Sequence, residues 1–162
     1  MQNISQVKSD ILFPFVIECL SNGQKARITV TGNSMSPFLK EIRDSVELAG
    51  TQFDHIKRGD IVLIRRLTGA YVLHRVLKKK KDCFFMVGDA QQWIEGPLKP
   101  EQLIAKVTKV WRKGKEIECE SLLWKIPALL WLRLRAYRGF MFRFYSFLKK
   151  IKLRLSRGVK AQ

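Results

Sequence analysis

The middle of this 162-residue chain is a succession of short strand-like segments with no helical pattern between them. The segments are rich in β-branched and aromatic residues, and clusters of Gly, Asp, Asn and Pro separate them. Because parallel strands need crossover connections, strands that follow one another directly predict an antiparallel, mainly β domain, a sandwich or partly open barrel. We place this domain at residues 24–120. Its predicted strands cover 27–31, 46–48, 61–66, 71–77, 83–87, 104–111 and 116–119.

A short N-terminal helix is predicted within residues 1–23. Apolar residues recur at a spacing of three to four from Ile11 to Leu20, which is typical of one face of a helix. Asn22 and Gly23 follow the last apolar position and favour the end of the helix there.

The basic charge of the chain is concentrated in its C-terminal segment. The sequence has 31 Lys+Arg against 14 Asp+Glu, a net charge of +17, and residues 121–162 hold 11 of the basic residues and no acidic one. Apolar positions in this segment step by three and four, which predicts a basic amphipathic helical tail. Such helices are typical of anionic membrane interfaces. The predicted membrane contacts are Trp124, Trp131, Arg135, Arg138, Arg143 and Phe147.

Two other roles for this tail stay open at the level of sequence. The helix can pack on the β domain or on a second copy of the chain, with its basic face in water, and the sequence leaves the oligomeric state undetermined. Binding to nucleic acid would use the same charge, but no segment resembles a nucleic-acid recognition module. We therefore expect an anionic membrane, rather than nucleic acid, as the partner of the tail.

The residue inventory excludes several classes of protein. Three cysteines without a CxxC pair and two histidines predict neither a disulfide framework nor a metal site, and they suit a reducing compartment. The apolar run from Ile11 to Ile17 is shorter than the roughly 18–20 residues that span a bilayer, and it contains Pro14. It also lacks the features of a signal peptide. We expect a cytoplasmic protein, attached peripherally to the membrane, with no cofactor.

Three residues near turns or strand ends carry candidate chemistry: Ser34, His74 and Asp89. A serine hydroxyl needs a base within hydrogen-bond reach, histidine is the side chain best matched to that role, and a carboxylate can orient the imidazole. Gly32 would allow a sharp turn, so that backbone N–H groups of Gly32, Asn33 and Ser34 form an oxyanion hole. Taken singly, each of these residues also fits an ordinary turn or core position.

Four segments, in order, resemble the type I signal peptidases and their LexA-type relatives. Gly-Asn-Ser-Met-Ser-Pro at 32–37 is similar to the box that carries the nucleophile, and Lys-Arg-Gly-Asp-Ile-Val-Leu at 57–63 to a following strand. Leu-His-Arg-Val at 73–76 is similar to the segment with the general base in the histidine-type enzymes of the endoplasmic reticulum, archaea and some Gram-positive bacteria. Met86–Glu95 resembles the closing Gly-Asp box.

The resemblance implies the all-β peptidase fold of that family and a serine endopeptidase that cleaves a leader or pro-segment from a precursor. Ser34 would be the nucleophile and His74 the general base. Asp89 would be the orienting acid, and Glu95 stands where histidine-type enzymes have a second acid, so the choice between the two is open. The resemblance implies no metal and no organic cofactor.

Three departures from the family pattern leave room for other functions. Gly32 stands where the family often has a hydroxyl residue, Gln91 and Gln92 replace two asparagines, and we expect no N-terminal membrane anchor of the family's kind. One alternative is a catalytically inactive module that binds membrane or nucleic acid through its basic tail. Another is self-cleavage of the LexA type, although the one Ala-Gly bond, Ala49–Gly50, follows the candidate nucleophile instead of preceding it.

Overall fold

The computed structural model describes residues 9–140 and residue 143. Over this part the chain is mainly antiparallel β, with one α-helix before the strands and one after them, as the sequence predicts. The helices are α1 (Ser9–Ser21) and α2 (Leu122–Arg133), and 3-10 turns occupy Phe53–His55, Pro100–Gln102 and Leu134–Tyr137. The strands are β1 (Ala26–Thr29), β2 (Asp44–Gly50), β3 (Ile61–Arg65), β4 (Tyr71–Lys79), β5 (Phe84–Val87), β6 (Glu95–Leu98), β7 (Leu103–Arg112) and β8 (Lys115–Glu118).

The strands form one sheet in the order β1-β2-β7-β3-β4-β5-β6, and every neighbouring pair is antiparallel. The long strand β7 organises its middle. Residues 105–112 of β7 pair with β2, residues 103–106 pair with β3, and residues 109–112 pair with β8. The ends of this path, β1 and β6, each have one partner strand in the described part of the chain, so each has a free edge.

Strand β6 is the one strand that the sequence analysis does not predict. Its Gly96-Pro97 pair has the composition of a turn. In the structure the two residues lie within β6, which pairs with β5 alone. Proline cannot donate a ladder hydrogen bond, and an edge strand is the place in a sheet where that loss costs least.

Two apolar clusters hold the sheet together. The larger one contains Leu39, Val46 and Leu48, all fully buried, and Val16 and Leu20 of α1 pack into it. The smaller one lies around β3, β4 and β5. It consists of Ile56, Val62, Ile64, Val76, Phe84, Met86 and Leu98.

The predicted N-terminal helix is confirmed over Ser9–Ser21. It ends where Gly23 adopts a left-handed conformation (φ +73°), and the Gln24 N–H donates to the Cys19 carbonyl at 3.0 Å. These features satisfy the last carbonyls of the helix, as at many helix C-termini.

Helix α2 begins next to the predicted boundary of the tail but packs on the β domain. Trp124, Ala128 and Leu132, four residues apart, are buried. The Trp124 ring meets Phe38 edge-on, with ring centroids 5.7 Å apart, and belongs to the larger apolar cluster. Residues 121–140 are therefore continuous with the body of the protein. No helix among residues 9–140 has the length and apolar character needed to cross a bilayer.

Candidate active site

Ser34 lies in the turn that follows β1. Gly32, two residues earlier, has a left-handed backbone (φ +77°), a conformation that costs glycine little and other residues more. The Ser36 N–H donates to the Asn33 carbonyl at 3.1 Å and closes the turn. Ser34 is partly exposed in this turn.

The loop after β5 packs directly against this turn. The Ala90 N–H donates to the Ser34 carbonyl at 2.8 Å. A Cβ atom at Gly88 would lie 2.7 Å from the Ser34 carbonyl oxygen and 2.5 Å from Oε1 of Gln91, distances that real Cβ atoms do not show. Glycine at position 88 therefore allows the two loops to meet.

His74 lies in the middle of β4, opposite Val62 of β3, and only 2% of its surface is exposed. Its Nδ1 atom is 3.4 Å from Oε2 of Glu95, which comes from β6. Nδ1 is buried and has no closer partner of good hydrogen-bond geometry among the described residues. The Trp93 ring meets the imidazole edge-on, with centroids 6.0 Å apart.

Burial lowers the pKa of His74 below its ordinary value of 6.5. The Glu95 carboxylate opposes this shift by stabilising the imidazolium, and the Arg66 guanidinium adds to it. The net direction is downward, so the imidazole is neutral near pH 7 and has a lone pair with which to accept a proton.

Glu95 is held by Arg66, which follows β3. The guanidinium donates to both carboxylate oxygens: Nη2 donates to Oε2 at 2.8 Å, and Nε donates to Oε1. This hydrogen bonding raises the pKa of Arg66. Two-point contact fixes the plane of the carboxylate and leaves it beside the imidazole of His74.

Asp89 does not contact His74 in this way, contrary to the orienting role that the resemblance implies for it. Its carboxylate accepts two hydrogen bonds from Arg75, from Nε at 2.9 Å and from Nη2 at 2.6 Å. Both side chains are fully buried. Arg75 follows His74 in β4, and successive side chains of a strand point to opposite faces of the sheet. Asp89 therefore lies on the face of β4 opposite to the imidazole of His74.

Ser34 and His74 line the same groove, which has a volume of about 360 Å³. Arg66, Gln91 and Trp93 contribute its other polar and aromatic walls. Its apolar lining comes from α1, β1 and the turn after it, β3 and β4. The residues are Leu12, Phe13, Ile28, Val30, Met35, Leu63, Tyr71, Val72 and Leu73.

The predicted oxyanion hole is only partly available. The Gly32 N–H, which was expected to contribute, donates to Oε1 of Glu41 at 3.0 Å, and the Asn33 side-chain amide donates to Oε2 of Glu41 at 3.1 Å. The backbone N–H groups of Asn33 and Ser34 have no acceptor among the described residues. The backbone donors that remain next to the Ser34 hydroxyl are therefore those of Asn33 and Ser34.

The C-terminal residues predicted to contact a membrane mostly contact the protein. Arg138 is fully buried, and its Nη1 donates to the carbonyls of Gly88 (2.9 Å) and Gln91 (3.0 Å). Trp131 donates from Nε1 to the Asp89 carbonyl at 2.8 Å. The carbonyl groups of loop 88–92 are not paired with a strand, so they can accept hydrogen bonds from these side chains. These hydrogen bonds replace those that the side chains would make with water.

The same correction applies to two further residues of that set. Arg135 donates to the Gln92 carbonyl at 2.6 Å, and Trp124 lies in the core. Arg143 is exposed, as expected for a surface contact, and Phe147 lies outside the described residues.

The sequence analysis missed three side chains at or beside the groove, Arg66, Trp93 and Arg75, and it missed the burial of a fourth, Arg138. Arg66 and Trp93 carry no signal of their own, because their neighbours are ordinary turn residues. Arg75 does carry one: an arginine inside a strand whose flanking residues are apolar needs a buried acid, and Asp89 was the available candidate. Arg138 resembles every other basic residue of the tail, so its burial could not be read from the sequence.

Comparison with known proteins adds no family assignment. No protein-family model matches the sequence, and no curated protein matches it either. Within the described residues, no group of three or more His, Cys, Asp or Glu side chains could hold a metal ion. The residues of the groove therefore carry the functional argument.

Proposed function

We propose that the protein is a serine endopeptidase of the signal-peptidase type, which removes a leader or pro-segment from a peptide or protein precursor. One observation carries the proposal: Ser34 and His74 line one groove, and the buried imidazole is backed by the Glu95 carboxylate. A serine, a neutral base and an orienting acid are the parts that acyl transfer needs.

In this mechanism the neutral His74 carries its proton on Nδ1, facing Glu95, and accepts a second proton on Nε2. Ser34 Oγ attacks the scissile carbonyl as its proton moves to the imidazole. The imidazolium then protonates the leaving amine, and the acyl-enzyme forms. A water molecule, deprotonated by His74, hydrolyses the ester and restores Ser34.

The charge of the tetrahedral intermediate needs hydrogen-bond donors near Ser34. The Ser34 N–H lacks an acceptor among the described residues, so it can donate to the oxyanion. Arg66 also lines the groove, with its charge paired to the Glu95 carboxylate. The Gly32 N–H could donate to the oxyanion only if its hydrogen bond to Glu41 were broken.

The shape of the groove favours an extended peptide as substrate. Strand β1 pairs only with β2 among the described strands, and Ile28, Thr29 and Val30 line the groove. A peptide that adds to a free strand edge gains main-chain hydrogen bonds, and alternate side chains enter pockets. Because the lining is largely apolar, we propose that small or apolar side chains precede the cleaved bond.

We also propose that the protein works in the cytoplasm. All three cysteines, Cys19, Cys83 and Cys119, are free thiols. Burial raises the pKa of the Cys119 thiol to about 12, so that thiol is inert as a nucleophile. Free thiols suit a reducing compartment.

Labelling by a fluorophosphonate probe tests the catalytic assignment without knowledge of the substrate. We expect a single adduct on the peptide that contains Ser34, located by mass spectrometry. Ser34→Ala should abolish the adduct. Ser36→Ala is the matched control, because Ser36 lies in the same turn but does not line the groove, and it should label like the parent. Absence of labelling in the folded parent, or equal labelling of Ser34→Ala, would refute the proposal.

Cleavage is tested by mass spectrometry of small precursor proteins co-expressed with the parent or with Ser34→Ala. We expect a truncated product only with the parent and with Ser36→Ala. A product that persists with Ser34→Ala would assign the cleavage to another protease.

A second candidate is a module that has kept the fold of a peptidase without its activity. The pairing of the Gly32 N–H with Glu41 favours it, because this pairing occupies one donor of the expected oxyanion hole. The labelling experiment separates the two candidates, since an inactive module would leave Ser34 unmodified.

A further inference from the structure

Helix α2 is apolar on two opposite sides. Trp124, Ala128 and Leu132 pack on the body. The other side exposes an apolar strip that continues into the following turn and that we name the outer face. It consists of Leu122, Leu123, Ile126 and Leu130 of the helix and Leu134 of the turn. The exposed fraction reaches 91% for Leu123 and 72% for Leu122. A helix that is apolar all round is normally buried all round, and a contiguous exposed apolar strip marks an interaction surface.

Basic side chains that lack acidic partners border the outer face. Lys57 and Arg58, from the loop before β3, and Arg133, from the end of α2, line a groove of about 520 Å³ together with Ile126 and Leu130. None of these three cations forms an ion pair with a carboxylate of the described residues. We name Lys57, Arg58 and Arg133 the basic rim.

We propose that the outer face and the basic rim together dock on an anionic lipid surface. The leucines and Ile126 would enter the boundary between headgroups and acyl chains, and the basic rim would meet the lipid phosphates. This inference does not depend on the proposed peptidase activity, because it rests on the opposite side of the protein's C-terminal helix and not on the groove that holds Ser34.

The chemistry of the surface favours lipid over other occupants. A second copy that covered the outer face with its own would bring two basic rims together, and like charges at an interface cost binding energy. A nucleic acid would neutralise the rim and leave the leucines in water. An anionic membrane supplies the negative charge and the apolar medium together.

The docking surface differs from the one that the sequence predicts. The predicted contacts Trp124, Trp131 and Arg138 face the body of the protein. The apolar residues left over by that packing form the outer face. An anionic membrane therefore stays the proposed partner, and the outer face and the basic rim replace the residues predicted to contact it.

Vesicle flotation of the full chain tests the inference. We expect the parent to float with vesicles of equimolar phosphatidylcholine and phosphatidylglycerol and to remain behind with pure phosphatidylcholine. Leu123→Glu and Ile126→Glu should each weaken partitioning about tenfold or more, because each places a charge where apolar burial is needed. Leu67→Glu is the matched control. Leu67 is 93% exposed at the tip between β3 and β4, and its substitution should leave partitioning unchanged.

The basic rim is tested in the same assay. Arg58→Ser and Arg133→Ser should each weaken partitioning about fivefold, since one cation near an anionic surface contributes about 1 kcal/mol. Circular dichroism and probe labelling at Ser34 check that each variant is folded, so loss of flotation with retained labelling separates this surface from the active site.

Three results would overturn the inference. The first is a parent that does not float with the anionic vesicles. The second is equal flotation of the parent and the Leu123→Glu, Ile126→Glu double variant, which would assign binding to other residues. The third is a dimer in light scattering that the double variant dissociates, which would assign the outer face to a second copy of the chain.

Discussion

Two arginine–carboxylate pairs flank the strand that carries His74, and they differ in their access to water. Arg75 and Asp89 are both fully buried and joined by two hydrogen bonds. Arg66 and Glu95 are also joined at two points, but their side chains are 35% and 12% exposed. Because the two pairs share their chemistry and differ in their surroundings, we expect different roles for them. The buried pair should stabilise the fold, and the pair at the groove is close enough to the imidazole to influence it.

The partners of each pair support this division. Arg75 also donates to the Gly59 carbonyl at 2.8 Å, and its guanidinium lies over the Phe38 ring at 4.9 Å. Its hydrogen-bonding groups are therefore directed at the interior. Glu95, in contrast, places Oε2 3.4 Å from the Nδ1 atom of His74, and Arg66 lines the groove.

The largest effect is expected when the buried pair is broken. Asp89→Asn leaves the Arg75 charge without a counterion in the interior, which should lower the free energy of unfolding by about 3–5 kcal/mol. Urea denaturation followed by tryptophan fluorescence measures the change. A loss of less than about 1 kcal/mol, the range of exposed ion pairs, would contradict the division between the pairs.

Glu95→Gln should instead reduce catalysis and largely spare stability. Without the carboxylate, the tautomer and orientation of His74 are no longer fixed, and we expect the rate of Ser34 phosphonylation to fall about a hundredfold. The free energy of unfolding should change by about 1 kcal/mol or less, because the pair is partly hydrated. Parallel measurement of both quantities on Asp89→Asn and Glu95→Gln gives the comparison its sharpest form. A Glu95→Gln protein that reacts like the parent would refute the orienting role.

The smallest effect concerns the pH dependence of labelling at Ser34. The base must be deprotonated, so the rate should rise with pH through the pKa of His74, with its midpoint below 6.5 because burial lowers that pKa. Glu95 raises this pKa and Arg66 lowers it. Glu95→Gln should therefore move the midpoint to lower pH, and Arg66→Gln should move it to higher pH.

The rate of Ser34 phosphonylation, measured at intervals from about pH 4 to about pH 9, tests this prediction. The control is Ser36→Ala, which should keep the midpoint of the parent. If the midpoints of Glu95→Gln and Arg66→Gln do not move in opposite directions, the rise in rate reports the titration of a group other than His74.

The sequence predicted most of the fold because local patterns carry it. β-branched alternation located β3 and β4, and the turn between them, to within two residues at each end. β6 was missed because Gly96 and Pro97 have turn composition, and only the position of the strand at the sheet edge makes them acceptable there. Whether a strand lies at the edge of a sheet depends on the order of all the strands. A short stretch of sequence does not contain that information.

The candidate site was predictable in its residues but not in their pairing. Ser34 and His74 line one groove, as the order of motifs predicts. The choice between Asp89 and Glu95 stayed open because His74 and Arg75 point to opposite faces of β4. In the structure Asp89 lies beside Arg75, and Glu95 lies beside His74. Sequence distance does not encode which face a loop acid reaches.

The three hydrogen bonds that Trp131 and Arg138 donate to loop 88–92 have a practical consequence for the design of variants. That loop is bound to the backbone of Ser34 through Ala90. Deleting the C-terminal helix would therefore remove a support of the Ser34 turn along with the basic charge. A shortened protein that failed both the flotation and the labelling experiment would not separate the two proposals. Point substitutions on the solvent side of α2 change the proposed docking surface and leave the Ser34 turn and its supporting loop intact.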